Sequence, residues 1–293
     1  MKPDVFTVPM TDDTEIVIRH YARRDALRLF ITHGNGFAVD GYRTFWEPLL
    51  ADYEIVLFDM RNHGQNTPTS ADGHNYGQFA RDVTSIHAGV TARIGEARSV
   101  GIFHSMSARS AMKNAVQYGS PFDALVLFDP PSVPPRGHAL YEAMREFEIK
   151  LINWAAERPD RFESPDDLEA QYTEARASSR WLPQARRDMA EAVLRECADG
   201  GYELSCRREL EAAIYLGALT LDLWPNASAL GLPSLLVGAD PSGAKGPPTG
   251  PANHALATEG GYNYRGVDGA GHLLQIEKPD VCREILIEFL NGL

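Results

Sequence analysis

Five short apolar runs, separated by segments with helical spacing, constrain this fold more than any other feature. They occupy residues 27–32, 54–58, 98–104, 124–128 and 232–237. Each is too short for a buried helix, and a near-continuous apolar strand implies a sheet covered on both faces. Between them, positions such as Phe45, Leu49 and Leu50, and the stretch 76–94, repeat at helical intervals. Strands alternating with helices at this spacing predict a mainly parallel sheet. Residues 5–10 and 15–21 alternate in polarity around Thr11-Asp12-Asp13 and read as an N-terminal hairpin. Residues 262–267 read as a last strand and 279–291 as a closing helix.

The run 98–104 leads into His104-Ser105-Met106, after which Ala108, Ala111, Met112 and Ala115 recur at helical spacing. A serine between a strand and a helix caps the helix more often than it attacks a substrate. The same layout, sharply turned, lifts the hydroxyl above the sheet and aims the next backbone N–H at the reacting group. The usual pattern is G-x-S-x-G, whereas this chain has Phe103-His104-Ser105-Met106-Ser107. Two side chains therefore stand where glycine would relieve crowding.

From about residue 134 the strand rhythm stops. Residues 136–226 read as a helical insertion of about ninety residues, longer than an ordinary connection, dividing a core made of 1–135 and 227–293. Ser164-Pro165-Asp166-Asp167 is a good helix start within it. Trp154, Trp181, Tyr172, Phe147 and Met189 could line an apolar pocket beneath a lid or simply pack the lid helices together.

The formal net charge of −12, with no basic cluster, argues against nucleic acid and anionic membranes as partners. Cys197, Cys206 and Cys282 make no disulfide framework, and the N-terminus lacks the apolar stretch of a signal peptide. A cytoplasmic location is the expectation. The nine histidines show no metal-ligand spacing, so neither metal nor other cofactor is expected. The expected partner is a small-molecule substrate; a homodimer is left open.

Three residues stand after apolar runs in the order Ser105, Asp240, His272, the order nucleophile–acid–histidine of a serine hydrolase. Asp129, which also follows a run, competes for the acid's role. His33-Gly34-Asn35-Gly36-Phe37 resembles the oxyanion loop of the α/β-hydrolases. Asp59-Met60-Arg61-Asn62-His63-Gly64-Gln65-Asn66 resembles their D-x-R-G-x-G-x-S stretch. Phe103–Ser107 matches the centre of their G-H-S-M-G elbow, and Gly269-Ala270-Gly271-His272 resembles the loop carrying their histidine. The chain therefore resembles a capped α/β-hydrolase over nearly its whole length. That resemblance implies an α/β fold: a mainly parallel eight-stranded sheet, helices on both faces and an inserted helical cap.

It further implies Ser105 as nucleophile, His272 as base and Asp240 as acid. The backbone N–H groups of Met106 and of Asn35 or Gly36 would form an oxyanion hole, each donor worth about 3–4 kcal/mol. Phe37, His104, Trp154 and Trp181 are the candidate pocket residues. His33, His104 and His63 are expected to shape their loops. A serine at the elbow points to acyl chemistry on a small, rather apolar ester or lactone. A thioesterase, a C–C bond hydrolase, and a ligand-binding or sensing protein with little turnover are the alternatives.

Overall fold

A computed structural model describes residues 2–243 and 246–293. Residues 242–251, rich in glycine and proline, fall partly outside the described residues. Eight strands form the main sheet: β1 (Asp4–Pro9), β2 (Glu15–Tyr21), β3 (Arg28–Ile31), β4 (Glu54–Phe58), β5 (Ser99–His104), β6 (Ala124–Phe128), β10 (Ser234–Gly238) and β11 (Asn263–Gly266). Their spatial order is β1-β2-β4-β3-β5-β6-β10-β11. Strands β1 and β2 pair antiparallel, as do β2 and β4; every other pairing is parallel.

The period-two geometry of a strand explains how uniformly apolar runs feed two cores. Leu29, Ile31, Ile55, Leu57, Val100, Ile102, Val126 and Phe128 pack into one cluster. Phe30, Val56, Phe58, Phe103, Leu125 and Leu127, from the alternate positions, pack into the other. Helices Tyr76–Ile94 and Met106–Tyr118 supply Phe79, Val83, Ala108 and Met112 to that second face. Among the described residues no helix is long and apolar enough to cross a membrane.

Between β6 and β10 lie the helices Tyr141–Glu157, Pro165–Glu174, Pro183–Ala192 and Arg208–Ala218. Pro165–Glu174 starts as the sequence suggests, with a reciprocal capping box between Ser164 and Asp167. The insertion is not purely helical, however. It carries a three-stranded antiparallel sheet of β7 (Arg161–Phe162), β8 (Leu194–Glu196) and β9 (Tyr202–Leu204). Strands of two or three residues are too short to display an alternation. Gly200 and Gly201, both at positive φ, turn the chain between β8 and β9.

Phe103 is fully buried, its ring edge-on to Phe58 (6.5 Å) and Phe122 (5.7 Å). Room for that ring comes from Gly101, two residues earlier on the same face. A Cβ added to Gly101 would stand 2.4 Å from Phe103 Cε2 and 3.0 Å from Phe122 Cδ2. Glycine has thus moved from the elbow itself to the strand below it. Overpacking a filled core costs about 1–3 kcal/mol, so Gly101→Val is expected to lower the unfolding free energy by that order, read as a lower urea midpoint. An unchanged midpoint would show that the aromatic cluster repacks freely.

Candidate active site

Ser105 is where β5 ends and the helix Met106–Tyr118 begins, with φ 55° and ψ −115°. A non-glycine residue in this region is strained by about 1–3 kcal/mol and persists only where its surroundings dictate it. They do so here. The Ser105 N–H donates to Phe128 O (2.9 Å), and Arg109 N–H donates to Ser105 O (3.0 Å). Ser107 answers for the elbow's other missing glycine: its Oγ accepts the His104 N–H (3.0 Å) and donates to the His104 carbonyl (2.9 Å). The Ser105 side chain does not cap the helix.

Its Oγ lies instead 2.8 Å from His272 Nε2. His272 Nδ1 lies 2.6 Å from Asp129 Oδ2. Asp129 is fully buried, and its Oδ1 accepts from Ala239 N–H and Asn253 Nδ2, each at 2.8 Å. Burial pushes this carboxyl up, but the hydrogen bond and charge of His272 and the Ala239 N–H outweigh it, leaving the group below the usual range. An ionised carboxylate only accepts, so Nδ1–H donates to Asp129, and in the neutral ring Nε2 is then the acceptor that faces Ser105.

Asp240 is not brought to His272, which corrects the expected acid. The register explains why. His104 is level with Phe128, and Phe128 with Val237. Ser105 and Asp129 therefore leave the sheet side by side, whereas Asp240 lies two residues beyond that level. It accepts from Ser242 N–H (2.9 Å), Ser242 Oγ (2.6 Å) and Gly269 N–H (2.9 Å). Asp240 thus braces the loop that leads to His272.

The loop 33–37 presses on Ser105: a Cβ on Gly34 would stand 3.1 Å from Ser105 Cβ and 2.9 Å from His104 Nδ1. Of the two N–H groups expected to serve from this loop, that of Gly36 is taken, donating to His63 Nε2 (3.1 Å). Asn35 N–H is left as the partner of Met106 N–H, one of the orphan donors of a helix start. The Asn35 side chain reaches across to the insertion, where Nδ2 donates to Glu211 O (2.9 Å).

Three buried histidines hold these loops together. His33 Nδ1 donates to Gly34 O (2.7 Å) and Nε2 accepts Met60 N–H (3.0 Å). His63 Nδ1 donates to Arg61 O (2.9 Å), freeing Nε2 for Gly36. His104 Nε2 donates to the His272 carbonyl (2.8 Å), and its Nδ1 accepts from Tyr42 Oη (2.8 Å), which itself accepts the Gly34 N–H (3.3 Å). His104 therefore ties the expected oxyanion loop to the backbone of His272. It is fully buried with both nitrogens engaged, so it does not line an open pocket.

The remaining pocket expectations divide. Phe37 and Trp181 meet edge-on at 5.8 Å, and Trp181 meets Tyr172 at 5.0 Å, forming an aromatic wall beside the loop. Trp154 is 49% exposed and lies under the Arg158 guanidinium on the outer side of the insertion; its place on the helix turns it away from the core. Sequence reading missed Tyr42, Glu148, Arg158 and Glu211. Arg109, one turn after Ser105, donates to Tyr76 Oη (2.9 Å) and to Glu148 of the insertion. Glu148 and Glu211 are buried charges on otherwise apolar helix stripes, beside Met144 and Ala155, and beside Ile214 and Ala218. That misplacement was the available signal.

Each histidine tie requires a neutral ring. Burial pulls His33 from 6.5 to about 4, and His63 and His104 to about 3, the neighbouring imidazoles His33 and His272 adding to the latter two. The unfolded chain takes up these protons near pH 6.5 and the folded chain does not. Stability is thus fully present above that pH and falls as the pH drops, by about 1.4 kcal/mol per unit for each ring. The urea midpoint is expected to drop steeply from pH 7 to pH 5, and less steeply in His63→Gln. Equal midpoints at both pH values would contradict neutral, desolvated rings.

Comparison with known proteins follows this geometry. No curated protein matches the sequence. Among solved structures, E-2-(acetamidomethylene)succinate hydrolase superposes with TM-score 0.78 at 19% identity, covering 99% of each chain. An enol-lactonase from Burkholderia xenovorans LB400 gives 0.68 at 16% identity, covering 98% of this chain and 100% of that one. A thermophilic esterase from Thermogutta terrifontis gives 0.66 at 19%, covering 99% and 98%. Likeness at such identities shows the fold. The alpha/beta hydrolase family model matches residues 29–285, and the chain belongs to that family.

Proposed function

We propose that the protein is a serine hydrolase acting on a small carboxylic ester or lactone through an acyl-enzyme intermediate. One observation carries the reading: the unbroken chain Ser105 Oγ–His272 Nε2–His272 Nδ1–Asp129 Oδ2, with links of 2.8 and 2.6 Å. A serine hydroxyl is a weak nucleophile near neutral pH and needs a base held in one tautomer. Asp129 supplies that hold.

Ser105 Oγ attacks the acyl carbon while His272 Nε2 takes its proton. The carbonyl oxygen becomes an oxyanion facing the N–H groups of Met106 and Asn35. As the carbonyl re-forms, the bond to the leaving oxygen breaks and that oxygen takes the proton from His272. Water then attacks the acyl-enzyme, again losing a proton to His272, and the acid leaves as Ser105 recovers its own.

Phe37, Trp181 and Tyr172 pack on one another and into the core cluster, so it is the elbow serine rather than a lined pocket that points to acyl chemistry. An esterase and an enol-lactonase are among the structures of similar fold.

Ser105→Ala should abolish turnover of short-chain 4-nitrophenyl esters without lowering the melting temperature. Asp129→Asn should lose about four orders of magnitude in turnover while folded, because the wrong tautomer then dominates. Asp240→Asn should lose far less. Steady-state rates and thermal melts on the three variants decide it: an active Asp129→Asn beside an inactive, folded Asp240→Asn would overturn the assignment.

A further inference from the structure

The Gly271–His272 peptide is pinned on both sides. The His272 carbonyl accepts from His104 Nε2 (2.8 Å). The Gly271 N–H donates to Glu277 Oε2 (2.6 Å). This second anchor is shared with the insertion, because the same Oε2 accepts from Arg180 Nε (2.8 Å). The Glu277 side chain is 3% exposed and that of Arg180 35%. Two residues along, Leu182 N–H donates to Ile276 O (3.2 Å). Residues 180–182 of the insertion thus dock directly on the segment that follows His272.

Gly271 is suited to this contact. It does not have the positive φ that calls for glycine. A Cβ there would collide with Arg180 Nη2 and stand 2.8 Å from Glu277 Oε1. The missing side chain therefore makes room for the ion pair rather than for a turn. A carboxylate as buried as this one needs its cation: without it, the group turns towards water or takes up a proton. Either change weakens its charge-assisted hold on the Gly271 N–H.

We propose that Arg180 is a positioning residue for His272: by holding Glu277 it fixes the Gly271–His272 peptide, so His272 is aligned between Ser105 and Asp129 only while residues 180–182 are docked. The inference rests on the acyl-transfer reading of Ser105 and His272. It makes seating of the insertion a condition of proton transfer.

The test compares the wild type with Arg180→Gln, which removes the cation, Arg180→Lys, which keeps one, and Glu277→Gln. Arg187→Gln is the control, since Arg187 pairs with Asp166, Glu169 and Glu191 on the exposed side of the insertion. Two readouts are taken well below the lowest melting temperature of the set. One is steady-state hydrolysis of 4-nitrophenyl acetate. The other is the low-field proton NMR resonance of His272 Nδ1–H on Asp129, identified by its loss in His272→Gln. Arg180→Gln should lose roughly ten- to a hundredfold in kcat/KM, the order that a misplacement of about 1 Å costs. The loss should lie in kcat, because His272 serves both half-reactions, and the resonance should shift or broaden. Arg180→Lys should recover most of the rate. Glu277→Gln should lose rate in the same way, and joining it to Arg180→Gln should add little, since both cut one link. Wild-type rates with an unchanged resonance in Arg180→Gln overturn the proposal, as do additive losses in the double variant or equal losses in Arg187→Gln. A rise in KM at constant kcat overturns it too, marking Arg180 as a substrate contact. A wild type that hydrolyses no ester overturns the acyl-transfer reading, and the resonance alone then decides whether Arg180 positions His272.

Discussion

The level pairing of β5 with β6 is the constraint on which the rest of the site depends. Parallel strands in register bring their ends to one rim, and here the residues that leave the rim together are Ser105 and Asp129. Ser105 is held in a strained turn by its bond to Phe128 O. Asp129, also at positive φ, is held by the β10 end through Ala239. His272 then has one place from which it can reach both. A shift of β6 by one residue would turn every side chain of that strand to the opposite face and move Asp129 from the rim.

Around that rim, buried imidazoles join the loops, alongside the Arg19–Asp59 and Arg61–Asp82 pairs that hold the loop after β4. His104 links Tyr42 and the 33–37 loop to the His272 backbone, while His63 occupies the Gly36 N–H and so singles out Asn35. A neutral ring can donate at one nitrogen and accept at the other, which suits a junction between a backbone carbonyl and an N–H. The charged residues sit one layer further out, as Arg109–Glu148 and Arg158–Glu211, both joining or bracing the insertion. The insertion is thereby tied to the helix that follows Ser105 and to the loop carrying Asn35.

Much of the sheet was legible because burial on both faces leaves a plain mark: runs such as 54–58 and 124–128 contain almost nothing polar. Ser105 and His272 were legible from strand–turn–helix layout and chain order. The aspartate that bonds His272 was not, since Asp129 and Asp240 both end parallel strands, and only the register reveals which one stops level with Ser105. The short strands of the insertion escaped for want of length. Trp154 was misread because an aromatic residue on an amphipathic helix can face either way, and Arg158 holds it outward. Phe103 and Ser107 looked like defects until Gly101 and the His104 backbone showed where the missing space and hydrogen bonds had gone.

If Ser105 carries the acyl group during turnover, as proposed, rapid mixing will catch the acylated protein. The protein is mixed with excess 4-nitrophenyl acetate, the early release of nitrophenolate is followed, and the acid-quenched protein is digested and weighed. A burst approaching one equivalent per chain is expected, with an added acetyl group on the peptide containing Ser105. Turnover without an adduct on that peptide, or an acetyl group on a different residue whose removal abolishes the burst, would contradict it.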